Sequence, residues 1–287
     1  MAALINQGGT DESRSLTKGS NEAMVGVFGK KRAVVLLCAL AAATLVVVLA
    51  VAASKKPAAA ATDKLPDLGM AQLQNLRIKN CTETNFRDCA YVGQKQLRFD
   101  TRIVNVGAGS FEARGKRSTT SDPVTVTQRI YNDAGGYRDV PTTAQMYFAG
   151  DGHNHWHLRD LESYELIRLD NGTKVGTGAK EGFCFFDNVL FGSTQDKFYR
   201  GCGKNPDALS VKMGLSRGWG DLYGASTVGQ YIDITNLTSG RYKLQATADE
   251  PNWFLESDDS NNFSWVEIQI SGNSLSVIAY GPAAQPI

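Results

Sequence analysis

Three histidines occur in the 287 residues, and all stand at alternate positions of one segment, Asp151-Gly152-His153-Asn154-His155-Trp156-His157-Leu158. In an extended strand successive side chains point to opposite faces, and positions two apart repeat at roughly 6.5 Å. The spacing predicts His153, His155 and His157 on one face, with Asn154 and Trp156 on the other. Three imidazoles converging from one segment make a nitrogen site for a transition metal. Imidazole suits zinc, copper, iron and nickel alike, so spacing leaves the metal open. A histidine-rich solvent loop is the plain alternative.

A second group of potential ligands is oxygen-rich. Glu256-Ser257-Asp258-Asp259-Ser260-Asn261-Asn262 gathers carboxylates and amides in one turn, the donor set that calcium prefers. A solvated acidic turn would have the same composition.

The elements that must position these groups are strands. Lys95 to Val104 alternates apolar and polar, which places Leu97, Phe99, Thr101 and Ile103 on one face. Further strands are expected at Val124 to Tyr131, Ala144 to Ala149, Ser163 to Leu169, Tyr231 to Ile234, Gly240 to Thr247 and Phe263 to Ile270. Asn236 to Gly240 (NLTSG) reads as a hairpin turn between two of them. Short strands, turn residues and no long amphipathic helix predict an all-β domain of sandwich type. From Leu65 onward about 220 residues are available, enough for one substantial core.

The chain before that domain differs in texture. Residues 1–32 are polar and Gly/Ser-rich, and are expected to form a disordered cytoplasmic tail. Lys30-Lys31-Arg32 then precedes an unbroken apolar run over 33–53, close to the ~20 residues that span a bilayer. This predicts a single-pass signal-anchor helix with the remainder outside the cytoplasm; a cleaved signal with secretion is the alternative. Residues 54–64 read as an Ala/Pro linker. With 21% charged residues and a net charge of +1, nothing resembles a nucleic-acid footprint. Cys38 lies in the apolar run, and Cys81, Cys89, Cys184 and Cys202 lie beyond it. Of the three connectivities, the local pairs Cys81–Cys89 and Cys184–Cys202 are preferred for an exported domain. Glycosylation sequons stand at Asn80, Asn171, Asn236 and Asn262.

Four motifs in order carry a resemblance. HNHWH (153–157), followed by LESYEL (161–166), resembles the copper-binding segment of lysyl oxidases. GAKEGFCFFD (178–187) is similar to that family's lysine-bearing segment. SRGWGDLYG (216–224) with QYIDIT (230–235) resembles its Tyr-Gly segment and following strand. ESDDSNN (256–262) is similar to its closing motif. The resemblance runs from about Leu65 to Ile270, which predicts a catalytic domain over 65–272 and leaves 273–287 as a C-terminal tail.

It implies that His153, His155 and His157 bind copper(II). It also implies that Lys180 and Tyr223 are joined into lysine tyrosylquinone, the family's self-derived cofactor. Asp67, the Leu68 carbonyl, Glu256, Asp258, Asn261 and Asn262 would match a calcium site. The implied activity is oxidation of primary amines, peptidyl lysine or small amines, to aldehydes with O₂, releasing hydrogen peroxide and ammonia. Such chemistry requires Lys180 close to Tyr223 and partly desolvated, so that a neutral amine is available to attack. It also needs a protein base, for which Asp187 and Asp221 are candidates by sequence proximity.

Departures from the family pattern are specific. Gly220 stands where the family's Tyr-x-x-Tyr-Gly has its first tyrosine. The lysine-to-tyrosine interval is about eight residues longer, cysteines are fewer than in animal members, and a glycan on Asn262 conflicts with its use as a ligand. Two other classes fit parts of the pattern: a zinc hydrolase using the three histidines, and a non-catalytic calcium-stabilised binding module.

Overall fold

A computed structural model describes residues 60–85, 89–150, 153–193 and 197–287. The tail expected over 1–32, the anchor over 33–53 and the first part of the 54–64 linker lie outside the described residues, as do Cys38, Asp151 and Gly152. Among the described residues no helix is long and apolar enough to cross a membrane.

Every regular element described is a strand or bridge. In chain order the strands are β1 (Asp63–Lys64), β2 (Leu68–Met70), β3 (Gln74–Asn80), β4 (Lys95–Asn105), β5 (Phe111–Lys116), β6 (Thr125–Asn132), β7 (Tyr137–Pro141), β8 (Met146–Ala149), β9 (His155–Arg159) and β10 (Glu162–Arg168). There follow β11 (Lys174–Thr177), β12 (Gly182–Phe183), β13 (Val189–Leu190), β14 (Ser210–Leu215), β15 (Trp219–Tyr223), β16 (Tyr231–Asp233), β17 (Gly240–Ala248), β18 (Phe263–Ser271) and β19 (Ser274–Tyr280). Among the described residues they form four antiparallel sheets rather than two facing ones. The first joins β1, β6, β5 and β14, with β7 on β6. The second runs β11-β10-β17-β18-β19, and the third β12-β9-β8. The fourth centres on β4, paired with β15, β16, β2 and β3.

β4 is the hub. Leu97, Phe99, Thr101 and Ile103, its expected inward face, are all at most 1% exposed. Its other face is partly buried, at Gln96, Arg98 and Val104, and Arg98 is held there by partners. The Arg98 guanidinium donates to the Ala225 carbonyl (2.6 Å), the Thr227 carbonyl (2.7 Å) and Gln96 Oε1 (3.2 Å). A buried charge is tolerable only with such partners. They tie β4 to the loop that follows Tyr223.

β17 and β18 show why alternation reads cleanly where one face meets the core. Tyr242, Leu244, Ala246 and Ala248 face in from β17, and Ser264, Val266, Ile268 and Ile270 from β18. One hydrophobic cluster draws side chains from all four sheets, among them Phe99, Phe111, Trp156 and Leu244. Edge-to-face pairs such as Phe111–Phe254 and Phe99–Tyr164, both with centroids 5.0 Å apart, add about 0.5–1.5 kcal/mol each beyond burial.

Three expectations change. The turn 236–240 does not close a hairpin: β16 pairs with β4, whereas β17 pairs with β10 and β18, so this segment crosses between sheets. Residues 273–287 are not merely a tail, because β19 pairs with β18 and Ala284 N–H donates to the Met70 carbonyl at 2.9 Å. The end of the 54–64 linker is β1, paired with β6. Both preferred disulfides, Cys81–Cys89 and Cys184–Cys202, are formed.

Candidate functional site

β9 starts at His155, not His153. Asn154 adopts φ +49°, a left-handed conformation that Asn tolerates better than most residues, and it puts His153 in a turn. The two-residue period therefore aligns only His155 and His157, and the turn brings in His153. The three still converge, with ligand nitrogens all within 4.8 Å of one another. His155 Nε2 and His157 Nε2 are 2.9 Å apart. Two nitrogens bound at right angles to one ion, each at about 2.0–2.1 Å, would have a similar separation. The donor set fits a borderline transition metal such as copper(II) or zinc.

The surroundings fix these rings. β9 lies between β8 and β12, with Tyr147 opposite His157 and Phe183 opposite Leu158. The Tyr147 ring meets His157 edge-on at 5.6 Å. On the other face Trp156 is buried and donates Nε1–H to the Asn205 carbonyl at 2.9 Å. Gly182 is required here. A Cβ at that position would lie 2.7 Å from His157 Nδ1 and collide with the Tyr147 hydroxyl.

Lys180 stands two residues before Gly182. Its segment is pinned on both sides: Ala179 N–H donates to the Tyr231 carbonyl at 3.0 Å, and the Glu181 carbonyl accepts from Asp160 N–H at 2.7 Å. Lys180 Nζ lies 5.0 Å from the centroid of the Tyr223 ring and 5.3 Å from that of Phe183. Lys180 is 9% exposed and Tyr223 8%. The Tyr223 hydroxyl is clamped by one residue, accepting from Cys184 N–H at 2.6 Å and donating to the Cys184 carbonyl at 2.9 Å. Burial, with Asp221 nearby, pushes its pKa well up, so the phenol is neutral. Phe183 packs edge-on to Tyr223 at 5.2 Å, and its register opposite Leu158 places it on the face of β9 away from His157.

The acids divide by what they touch. Asp187 is fully buried, and both its oxygens are engaged. Oδ1 accepts from Ser216 N–H, and Oδ2 from Phe198 N–H, Tyr199 N–H and the Ser216 hydroxyl. It pins a loop and is not available as a base. Asp221 shares a strand face with Tyr223 and accepts from Asn188 Nδ2. Burial holds its carboxyl well above the usual range, against the hydrogen bonding from Tyr223. Glu162, not singled out from the sequence, is 2% exposed, and neither of its carboxylate oxygens makes a hydrogen bond of ordinary geometry. Burial raises its pKa to about 7, opposed by the Thr101 and Tyr164 hydroxyls and by Lys180. A signal for it existed: β10 alternates with Glu162, Tyr164 and Leu166 inward, which puts an acid at a core position.

The oxygen-rich turn packs against the first strands. Asn261 Nδ2 donates to Asp67 Oδ1 (2.6 Å), the Ser257 hydroxyl to Asp67 Oδ2 (2.9 Å), Asn262 Nδ2 to Glu256 Oε1 (3.2 Å) and Leu68 N–H to Glu256 Oε2. The Oδ1 atoms of Asn261 and Asn262 are buried without a partner. Burial lifts the Glu256 pKa to about 9. Such a set suits a calcium ion. Asp258 is not drawn in: it is exposed, and its carboxylate accepts from Ser260 N–H at 2.8 Å. Asn262 is 7% exposed, too buried to carry a glycan, whereas Asn80, Asn171 and Asn236 are exposed.

Comparison with known proteins gives the family. The family model for lysyl oxidase matches residues 123–279. The chain is 28% identical over 204 residues to lysyl oxidase homolog 2 of Rattus norvegicus, covering 70% of this chain and 22% of that protein. It is 33% identical over 126 residues to lysyl oxidase homolog 1 of Homo sapiens, covering 43% of this chain and 20% of that protein. This all-β chain, with its three-histidine cluster and its buried lysine–tyrosine pair, belongs by that match to the lysyl oxidase family. It spans about a fifth of the length of these relatives.

Proposed function

We propose that this chain is a copper-dependent amine oxidase of lysyl oxidase type. It oxidises primary amines, peptidyl lysine or small amines, to aldehydes with O₂, releasing hydrogen peroxide and ammonia. The observation that carries this reading is Lys180 Nζ standing 5.0 Å from the Tyr223 ring centroid in a buried setting. That distance is within reach of a change in the lysine side-chain torsions.

In this reading His153, His155 and His157 hold copper, and Lys180 and Tyr223 supply the atoms of lysine tyrosylquinone. Copper held by the three imidazoles would supply the redox chemistry that forms the cofactor, and the cofactor would supply an electron sink for amine oxidation. The remaining tasks fall to the chain itself. The Cys184 backbone orients the phenol oxygen, Phe183 and Tyr147 exclude water from the rings, and Gly182 leaves room for His157. The oxygen-rich turn, with Asp67, the Leu68 carbonyl, Glu256, Asn261 and Asn262, binds calcium and ties the first strands to the last loop.

The site works outside the cytoplasm, tethered by a helix over 33–53. Two formed disulfides support an oxidising compartment. Peptide mass spectrometry of copper-loaded, aerated protein tests the central point. A Lys180–Tyr223 cross-link together with peroxide release from primary amines is expected. Complete absence of the cross-link overturns the oxidase reading and favours a zinc hydrolase or a binding module.

A further inference from the structure

Lys180 opens onto a cleft of about 230 Å³ whose floor includes Glu162 and Tyr164. Its rim carries Asp160, Glu165, Glu181 and Glu250. The one rim cation among the lining residues, Lys174, is salt-bridged to Glu165. An acidic rim alone is common on protein surfaces. What sets this one apart is its floor: a carboxylate 2% exposed, lining the cleft, whose oxygens make no hydrogen bond of ordinary geometry, with only the Thr101 and Tyr164 hydroxyls near them. Leaving such a group unpaired is costly, so it marks a place where a partner is expected.

The partner's chemistry follows from the neighbours. Groups acting on Glu162 are Lys180 from the β11–β12 loop, Thr101 from β4, Tyr164 on its own strand and Asp221 with Tyr223 on β15. Among these only Lys180 is a cation. Cross-linking, on the proposed oxidase reading, converts the Lys180 amine into an aryl amine conjugated with a quinone, which carries no proton at neutral pH. The positive charge beside Glu162 is then gone, while the acidic rim remains.

We propose that Glu162 is a catalytic residue that receives the ammonium group of the amine substrate and takes its proton. The ammonium N–H bond breaks, its electron pair stays on nitrogen, and the proton passes to a Glu162 oxygen. R–NH₃⁺ and carboxylate become R–NH₂ and carboxylic acid, with no change in net charge. Only the neutral amine is a nucleophile, so this transfer must precede attack. Asp187 has no free oxygen for the task, and Asp221 does not line the cleft.

The test compares the copper-loaded full chain with Glu162→Gln. The variant is expected to keep copper and the Lys180–Tyr223 cross-link. Its kcat/KM for butylamine should fall by about 10²–10⁴-fold, with loss of the rise toward higher pH expected of the parent as Glu162 ionises. A readout without turnover uses tert-butylamine, which has no α-hydrogen. Calorimetry on the same proteins should show its binding weakened about tenfold or more by the variant, the order of one charge-assisted hydrogen bond. Parent-like kinetics and parent-like tert-butylamine affinity in Glu162→Gln would overturn the proposal. Should the parent lack the cross-link, the oxidase reading fails, and the comparison is made in Lys180→Met, which removes the competing cation: equal tert-butylamine affinity with Glu162 and with Glu162→Gln then overturns the ammonium site separately. If Glu162→Gln does not fold, Glu162→Asp carries the test: a lowered kcat/KM with the acid limb retained is expected, and unchanged kinetics overturn it.

Discussion

At the scale of single residues, the site is a set of close approaches with little slack. On the proposed oxidase reading, Lys180 is needed for its amine, not its charge. Lys180→Arg is therefore expected to keep the fold and copper content while abolishing peroxide production from amines; metal analysis with a coupled peroxide assay checks both halves, and persistent turnover would move the cofactor elsewhere. Gly182 is needed for the side chain it lacks. A methyl there would press on His157 Nδ1 and the Tyr147 hydroxyl. Gly182→Ala should lower copper affinity more than it lowers stability, read by metal competition and thermal melting. His155→Ala should remove metal and activity together, since two remaining imidazoles make a poor site.

At the scale of elements, the Cys184–Cys202 disulfide matters because of what Cys184 holds. Its backbone N–H and carbonyl both engage the Tyr223 hydroxyl. Sequence separation across the bridge is 18, and closing a loop of that order stabilises by about 3 kcal/mol. Replacing both cysteines by serine should lower the melting temperature and reduce the yield of the Lys180–Tyr223 cross-link, measured by peptide mass. An unchanged cross-link yield at lower stability would mean that the β15–β4 pairing alone positions the phenol. The crossing segment 236–240 is a second case in which an element's partners decide its role. It reads locally as a hairpin, yet it links the β4 sheet to the β10–β17 sheet, because β16 finds its better partner in β4.

At the scale of the whole molecule, buried acids set the pH response. Glu162 rises from 4.5 to about 7 and Glu256 from 4.5 to about 9 on folding, both chiefly through burial. A carboxyl with a raised folded pKa costs nothing below its unfolded pKa. The penalty then grows as pH rises toward the folded value. Stability of the calcium-free protein should therefore decline between about pH 4.5 and 9. The lowered carboxyls, Asp139 and Asp233, act only below about pH 3.8. Calcium at the Asp67–Glu256 cluster would reverse part of the decline by binding the ionised form. Melting curves at pH 5 and 8, with calcium and with chelator, check this. Calcium should raise the melting temperature more at pH 8, and Glu256→Gln should remove most of the difference.

Residue types and their order determined much about this protein. Three histidines at alternate positions, GAKEGF, DLYG and the oxygen-rich turn carried the family resemblance and the candidate metal, lysine and tyrosine positions. Alternation marked β4, β10, β17 and β18, because each has at least one face against the core and period two is then visible. It failed at β5, where Glu112 sits inside, accepting from the Tyr131 and Tyr199 hydroxyls, so polarity no longer reports exposure. Other features are long-range. The left-handed Asn154 brings in His153, the Cys184 backbone clamps a phenol 39 residues away, and Glu162 meets Lys180 only because the loop between β11 and β12 passes alongside β10. Local pattern encodes which face a side chain takes. Which groups meet, and which buried carboxylate is left waiting for a cation, depends on contacts between distant strands that no short stretch of chain contains.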